Sequence, residues 1–535
     1  MDRDTMINKL EESSGDFDIL VIGGGASGLG AALEAVSRGY RTILLERDDF
    51  AKGTSSRSTK LVHGGVRYLA QGNVSLVLEA LKERGRLKRN APHMVKDQAF
   101  VIPCYRWWCV PFYTIGLTLY DLLAGRLGIG RSVPLSVKGT RKALPAVKQR
   151  RLKGGVRYYD CQFDDARLAV NLAQTVAEKG GVVINHMNIS GLQLQDGRVR
   201  GVTARDRESG REYRIMTRAV INATGVFVDD ILKMEDPGAR DVVKPSQGIH
   251  LVLDRDYLKG GEALMIPKTS DGRVLFAIPW HNHVVMGTTD VEKKHADIEP
   301  VAEEQEVEYI LETARLYLEK PPARSDILAV FTGLRPLAAP AGEGKKTKEI
   351  SRGHKIIVSA GGLVTLTGGK WTTYRKMGED VIDVAAGIAG LPPHRSVTAS
   401  LKIHGYQEEV DWTDPLYWYG SDRELINRLI REDPDAATVI SEKLQVIKAQ
   451  VILAVREEMA RTLEDVLARR IRAIQLDVRE AIRMAPGVAS IMAAELGKDK
   501  NWEKEQVRAF TAIAAMNTLR DPDPEEKNEP IKTIK

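Results

Sequence analysis

Residues 17–46 read FDILVIGGGASGLGAALEAVSRGYRTILLE. Two β-rich apolar stretches flank a segment with helical spacing, which predicts a strand, a glycine turn, a helix and a second strand. The turn carries the pattern GxGxxG on Gly23, Gly25 and Gly28, where glycine permits the tight turn, the approach of a pyrophosphate and close helix–strand packing. Glu46 ends the second strand, about 20 residues further on, where a ribose hydroxyl needs an acidic acceptor. The stretch therefore predicts a dinucleotide-binding βαβ unit.

Two later segments distinguish between the dinucleotides. INATGVFVDD contains Gly225, and GGLVTLTGGKWTTYR contains Gly368 and Gly369, each after a predicted strand. A chain that returns to the nucleotide domain near residue 365 can line a long, extended cofactor along its whole length. This pattern favours FAD over NAD.

Composition limits the classes of protein. The chain has 535 residues, 43% of them apolar and 28% charged, with a net charge of +6, so we expect two or three globular domains. The mild basic excess is no nucleic-acid signature, although it suits an acidic substrate or an anionic membrane surface. Cys104, Cys109 and Cys161 form no CxxC pair, which favours a reducing cytosol. The polar N-terminus argues against secretion.

The predicted elements divide the chain into domains. Helices are expected over about 73–94, 165–179 and from about 421 onward, and Asp196-Gly197 is the predicted turn of a β-hairpin. The expected fold is α/β plus α: a discontinuous Rossmann-like FAD domain, an antiparallel-sheet substrate domain and a C-terminal helical domain. The expected ranges are a flexible N-terminus at 1–16, the FAD domain at 17–95, 150–235 and 331–400, the substrate domain at 96–149 and 236–330, the helical domain at 401–520 and a flexible tail at 521–535.

The segment WWCVPFYTIGLTLYDLLAGRLG, residues 107–128, is rich in aromatic and aliphatic side chains. Its uncharged run is shorter than the roughly 20 residues that a spanning helix needs. Aromatic residues flanked by arginines are typical of a segment that lies in a membrane interface. A buried helix remains the alternative.

The loop GTSSRSTKLVHGGVRY, residues 53–68, crowds hydroxyls, a histidine and an arginine directly after the nucleotide unit. Together with ATGVFVDD, GLRPL, SRGHKI and TLTGGKWTTYRKMGED, it resembles FAD-dependent, quinone-linked glycerol-3-phosphate dehydrogenases. The resemblance covers residues 17 to about 390. It implies a glutathione-reductase-like FAD domain and oxidation of glycerol 3-phosphate to dihydroxyacetone phosphate.

The resemblance also implies residue roles. FAD-binding residues would be Gly23, Gly25, Ala26, Ser27, Gly28, Glu46, Thr54, Ser55, Ser56, Ser58, Gly225, Gly368 and Gly369. Substrate-binding residues would be Arg67, Tyr68, Arg335, Arg352 and Lys370, and catalytic residues would be His63, His250, Arg335 and Lys370. No metal site is expected.

Each residue type suits its implied role. Guanidinium groups grip a dianionic phosphate with paired hydrogen bonds. Oxidation of a secondary alcohol needs hydride transfer from C2 to flavin N5 and loss of the hydroxyl proton, which a neutral histidine can accept. Lys370 would stabilise negative charge on the reduced ring. Which histidine is the base stays open.

The implied partners are glycerol 3-phosphate, a quinone acceptor and an anionic membrane surface, with the protein cytoplasmic and peripheral on the inner face of the cell membrane. No nucleic-acid partner is expected, and a homodimer is left open. Two alternatives remain: an amine or amino-acid oxidase on the same scaffold, and a flavin-binding adaptor without turnover. Substrates of the first alternative carry a carboxylate rather than a phosphate, so one arginine would usually suffice. The second alternative would bind a nucleic acid or a membrane through the basic helical segments.

Overall fold

Two large sheets and a helical C-terminal region make up the part of the chain that the computed structural model describes, residues 1–13, 16–66, 69, 72–269, 272–339 and 353–519. The strands are β1 (Asp16–Ile22), β2 (Thr42–Leu45), β3 (Leu61–Val62), β4 (Val95–Cys104), β5 (Val133–Leu135), β6 (Gly154–Phe163), β7 (Val182–Ile184), β8 (Met187–Gln195), β9 (Arg198–Asp206), β10 (Glu212–Asn222), β11 (Val243–Asp254), β12 (Ala263–Ile266), β13 (Leu275–Trp280), β14 (His283–Gly287), β15 (Val291–Glu292), β16 (Ile327–Ala338), β17 (His354–Val358), β18 (Val364–Gly368), β19 (Val439–Ser441) and β20 (Val446–Ile447). The helices are α1 (Arg3–Glu12), α2 (Ala26–Ser37), α3 (Val74–Asn90), α4 (Cys109–Ala124), α5 (Val137–Ala143), α6 (Asp165–Glu178), α7 (Val228–Glu235), α8 (Glu304–Tyr317), α9 (Tyr374–Ala389), α10 (Arg423–Glu432), α11 (Lys448–Glu457), α12 (Ala473–Leu476), α13 (Val478–Leu496) and α14 (Lys500–Met516).

The first sheet has a parallel centre in the order β18-β10-β1-β2-β7. One row of register partners crosses all five strands, and each member is fully buried: Val364, Ile221, Val21, Leu44 and Val183. Strands covered on both faces read as continuous apolar runs, which is the pattern of DILVI and TILL. The strand β18 completes this sheet late in the chain, as the sequence predicts.

The glycine turn brings α2 close to the end of β1. A Cβ atom on Gly28 would lie 1.8 Å from the carbonyl oxygen of Gly23. Only glycine fits at that distance, so α2 begins immediately beyond the strand and directs its N-terminus at the carboxyl end of the sheet.

The second sheet is mainly antiparallel, and its composition corrects the expected domain boundaries. The sequence assigns β6 and most of β16 to the FAD domain, but β6 pairs with β4 from Val95↔Phe163 to Cys104↔Gly154. Likewise β16 pairs with β11 along nearly its whole length. Both strands therefore belong to the second sheet, because pairing with a distant strand decides which sheet a strand joins.

The N-terminus also differs from expectation. Residues 1–16 are expected to be flexible, yet α1 is a formed helix whose Met6 and Leu10 are buried. Arg3 donates hydrogen bonds to the Asn185 carbonyl (3.2 and 3.1 Å) and to Asp206 (2.7 Å). This buried arginine anchors the segment on the first sheet.

Other predicted elements are found. The β8–β9 hairpin turns at Asp196-Gly197 with φ of 51° and 72°, as a two-residue turn with left-handed backbone requires. The helix α3 starts at the Asn73 cap, which accepts a hydrogen bond from Leu76 N. Within the described ranges, no helix is both long enough and apolar enough to cross a bilayer. The expected tail at 521–535 lies outside the described residues.

Candidate active site

A cavity of about 490 Å³ is lined by residues of both sheets. Its lining includes the glycine turn and the end of β2, together with residues of β11, β16 and the loop after β18. Predicted cofactor residues line it: Gly23, Gly25, Ala26, Ser27, Glu46, Thr54, Ser55, Ser58, Gly225, Gly368 and Gly369. Residues distant in sequence thus share one site.

The hydroxyl loop and the glycine turn meet at the N-terminus of α2. Ser55 Oγ accepts a hydrogen bond from Ala26 N (2.9 Å). Trp371 Nε1 donates to the Ser55 carbonyl (2.8 Å), which ties the late glycine loop to the same place. A helix N-terminus, backbone N–H groups and a hydroxyl form a donor set that suits a pyrophosphate.

Glu46 lines the cavity beside the glycine turn. Its carboxylate accepts hydrogen bonds from the backbone N–H groups of Gly24 and Asp48, which fix its orientation. Burial raises the pKa of Glu46, although these backbone donors oppose the shift. A carboxylate held in this way has remaining lone pairs for a ribose hydroxyl, so the donor and acceptor set fits the adenosine half of FAD.

Two predicted cofactor residues lie behind the cavity wall. Gly28 serves the close packing of α2, and Ser56 is buried with its carbonyl accepting hydrogen bonds from Lys60, Arg472 and Gln475. Ser58 lines the cavity, but its hydroxyl donates to Asp165 (2.7 Å).

Arg335 lines the cavity from β16. Its guanidinium donates to Thr288 Oγ1 (3.1 Å) and to the Thr289 carbonyl (3.0 Å), and it lies 3.7 Å from Asp290. A Cβ atom on Gly248, on the paired strand, would lie 2.4 Å from the guanidinium, so glycine makes room for it. Lys370 also lines the cavity, whereas Arg67, Tyr68 and Arg352 fall outside the described residues.

Both candidate histidines line the cavity. The His250 ring stacks on Phe331 (centroids 4.8 Å apart), and its Nε2 hydrogen-bonds with Thr59 Oγ1 (3.0 Å). Burial, with the positive charges of Lys60 and Arg335, holds the pKa of His250 well below 6.5. A neutral imidazole at this position can accept a proton across the physiological pH range.

Sequence reasoning missed Thr59 and Asp160, which also line the cavity. Asp160 lies on β6 and accepts hydrogen bonds from Arg84 (2.6 Å) and Tyr120 (3.0 Å). Burial raises its pKa, and Arg84 opposes that shift. A carboxylate inside the apolar strand pattern GGVRYYDCQF is the signal that could have identified it.

Comparison with known proteins identifies the family of the chain. Residues 18–375 match the family of FAD dependent oxidoreductases, and residues 366–506 match the C-terminal domain of alpha-glycerophosphate oxidase. The mitochondrial glycerol-3-phosphate dehydrogenase of Homo sapiens is 37% identical over 94% of this chain and 74% of its own length. That of Arabidopsis thaliana is 37% identical over 93% of this chain and 85% of its own length.

A solved structure of a relative extends the match to three dimensions. The glycerol-3-phosphate dehydrogenase from Bacillus halodurans, complexed with FAD, has a TM-score of 0.78 and 28% identity, covering 97% of this chain and 99% of its own. The resemblance predicted from the sequence is thereby confirmed. The chain belongs to the family of FAD-dependent glycerol-3-phosphate dehydrogenases.

Proposed function

We propose that this chain oxidises sn-glycerol 3-phosphate to dihydroxyacetone phosphate and passes the electrons to a membrane quinone. The observation that carries the proposal is one cavity whose lining includes the glycine turn together with Arg335, Lys370 and His250. FAD would supply the acceptor for the hydride that leaves C2 of the substrate. Side chains of the protein would bind the phosphate and accept the hydroxyl proton.

Arg335 would bind the phosphate, because an oriented guanidinium forms paired, charge-assisted hydrogen bonds with such an anion. His250 would accept the hydroxyl proton at Nε2, the nitrogen beside Thr59 Oγ1. With the proton on Nδ1, the Nε2 lone pair accepts a hydrogen bond from the Thr59 hydroxyl, which the substrate hydroxyl would have to replace before the proton moves. Lys370 would place positive charge beside the reduced cofactor.

Anaerobic titration tests the oxidation. The purified, FAD-loaded protein is mixed with glycerol 3-phosphate, and the flavin absorbance is expected to bleach; a quinone analogue should then restore it. Glycine and proline serve as control substrates and should leave the spectrum unchanged. An unaltered spectrum with glycerol 3-phosphate would contradict the proposal.

The quinone acceptor calls for access to a membrane, and α4 provides an apolar surface. Trp107, Phe112, Ile115 and Leu122 expose 78%, 62%, 72% and 72% of their surface. Such contiguous apolar exposure marks an interaction surface. We therefore place this face against the anionic inner surface of the cell membrane, with exposed arginines before and after the helix at the headgroups. The exposed residues are Arg106, Arg126 and Arg131.

A further inference from the structure

Lys60 is a fully buried lysine next to the site, and the proposed oxidation does not yet give it a role. Its Nζ donates to both oxygens of Asp165 (2.9 and 2.8 Å) and to the Ser56 carbonyl (2.7 Å). Gln475 Oε1 lies 3.3 Å away. Burial of a lysine is costly unless its charge is compensated, so this position needs a reason beyond packing.

The lysine shares an aromatic ring with the candidate base. Lys60 Nζ lies 4.9 Å from the centroid of Phe331, and the His250 ring stacks on the same Phe331 at 4.8 Å. The preceding residue, Thr59, hydrogen-bonds with His250 Nε2 (3.0 Å). Two successive residues of the loop thus act on one imidazole, one by a hydrogen bond and the other by its charge.

We propose that Lys60 is a positioning residue for the oxidation: its salt bridge to Asp165 holds Thr59 against His250, and its charge keeps the imidazole unprotonated. This inference rests on the proposed function, in which His250 is the proton acceptor. A cation in a low-dielectric interior disfavours a second cation close by, so imidazolium formation is opposed.

The C-terminal region takes part in this arrangement. Arg472 donates to Asp165 Oδ1 (2.8 Å) and to the Ser56 carbonyl (2.9 Å), so two cations share one carboxylate. Burial and Arg472 lower the pKa of Lys60 to about 7, while Asp165 and Asp164 oppose the shift.

Lys60 therefore becomes charged in the acid range, where an ordinary histidine becomes protonated. Among the residues that the structure describes, the charged groups that act on His250 are Lys60 and Arg335, and both oppose its protonation. His250 therefore stays unprotonated, and able to accept a proton, at lower pH than an ordinary histidine.

Lys60→Met tests the charge. Asp165 would keep hydrogen bonds from Ser58 Oγ (2.7 Å) and Arg472 (2.8 Å), so the buried carboxylate remains compensated. We expect His250 to titrate about one pH unit higher, the size of one charge acting at an effective dielectric constant of about 20. Histidine NMR on the FAD-loaded protein measures this shift, with the resonance assigned by His250→Asn.

Arg472→Met is the matched control, because it removes the other cation from the same carboxylate. Lys60 would then hold its proton to higher pH, so His250 should titrate at the same pH or lower. Equal upward shifts in both variants would overturn the proposal, as would no shift in Lys60→Met. If Lys60→Met does not fold, the wild type decides, because titration of its His250 at or above pH 6.5 would also overturn the proposal.

Kinetics then tests the role in the reaction. In Lys60→Met, the pH at which kcat/KM for glycerol 3-phosphate falls off on the acid side should rise together with the NMR titration of His250. In Lys60→Arg, this pH should return toward the wild-type value. An NMR shift without movement of the acid limb would overturn the catalytic role. Failure of the wild type to oxidise glycerol 3-phosphate would instead refute the proposed function, since the NMR titration needs no turnover.

Discussion

Arg335 is oriented by the protein itself. Its donors already contact Thr288 and Thr289, and the adjacent strand leaves room for it at Gly248. An arginine preorganised in this way loses less side-chain entropy on binding an anion. At the residue scale, this makes it the side chain on which substrate affinity should depend most.

We expect Arg335→Ala to raise the KM for glycerol 3-phosphate by about 10- to 100-fold, the effect of losing a charged hydrogen-bonding partner. We expect FAD content to stay unchanged, because the guanidinium contacts Thr288 and Thr289, which are not among the predicted cofactor residues. Steady-state kinetics and the flavin absorbance of the purified variant measure both quantities. Arg335→Lys keeps the charge but loses the paired N–H donors, so its KM should lie between those of the wild type and Arg335→Ala. A colourless Arg335→Ala protein would show instead that the arginine is needed for cofactor binding or for folding.

The helix α4 has one buried face and one exposed face. Leu117 and Tyr120 are 1% exposed, whereas Ile115 and Leu122 are 72% exposed. The sequence left a buried helix as the alternative for this segment, and the exposed face contradicts that alternative. Attachment to a membrane remains a proposal at the scale of this element.

The variant Trp107→Ser/Trp108→Ser should reduce binding to anionic phospholipid vesicles by on the order of tenfold or more, because two apolar side chains no longer leave water on binding. Cosedimentation measures the bound fraction. Leu194→Ser/Leu316→Ser removes two residues that are 54% and 65% exposed in other parts of the surface, and should change nothing. Equal binding of the tryptophan variant and the wild type would count against the helix as the attachment site.

His404 connects the C-terminal region to α6. Burial lowers its pKa, but hydrogen bonds to Asp422 (2.7 Å) and to Glu178 outweigh this and raise the pKa to about 9. A pKa raised above the unfolded value of about 6.5 stabilises the fold fully below that pH. This contribution is lost as the pH rises toward 9.

His404→Ala should therefore lower the free energy of unfolding by up to about 3 kcal/mol at pH 6 and by much less at pH 9.5. Urea unfolding at the two pH values measures the difference. His295→Ala, at an exposed histidine, is the control. A loss for His404→Ala that is equal at both pH values would show that packing, and not the ion pairs, is responsible.

At the scale of the whole molecule, buried charges join the nucleotide sheet to the C-terminal helices. Asp49 accepts hydrogen bonds from Arg470 Nη1 (2.6 Å) and Nη2 (2.9 Å) and from Arg469 Nε. Asp49 and Arg470 are both fully buried. Breaking such a pair leaves an uncompensated buried charge, so the two regions depend on each other for stability.

Asp49→Asn should lower the free energy of unfolding by about 3 kcal/mol, because Arg470 loses its nearer carboxylate partner and keeps Glu458 at 3.8 Å. Glu495→Gln breaks an ion pair with Arg456, whose side chain is 54% exposed, and should cost less than about 1 kcal/mol. Thermal unfolding of the FAD-loaded proteins compares the two. Similar losses in both variants would contradict the role assigned to the buried pair.

Local sequence was enough to predict the glycine turn, the hydroxyl loop and the Asp196-Gly197 hairpin, because each depends on backbone limits within a short window. The family could be identified because several such segments occur in order. The three-dimensional fold was needed to show that β6 and β16 belong to the second sheet and that α1 packs on the first. It also showed that Lys60 and Arg472 contact the same carboxylate. Strand partners and buried ion pairs join residues up to hundreds of positions apart, and no local pattern encodes which of many partners a strand or a charge will meet.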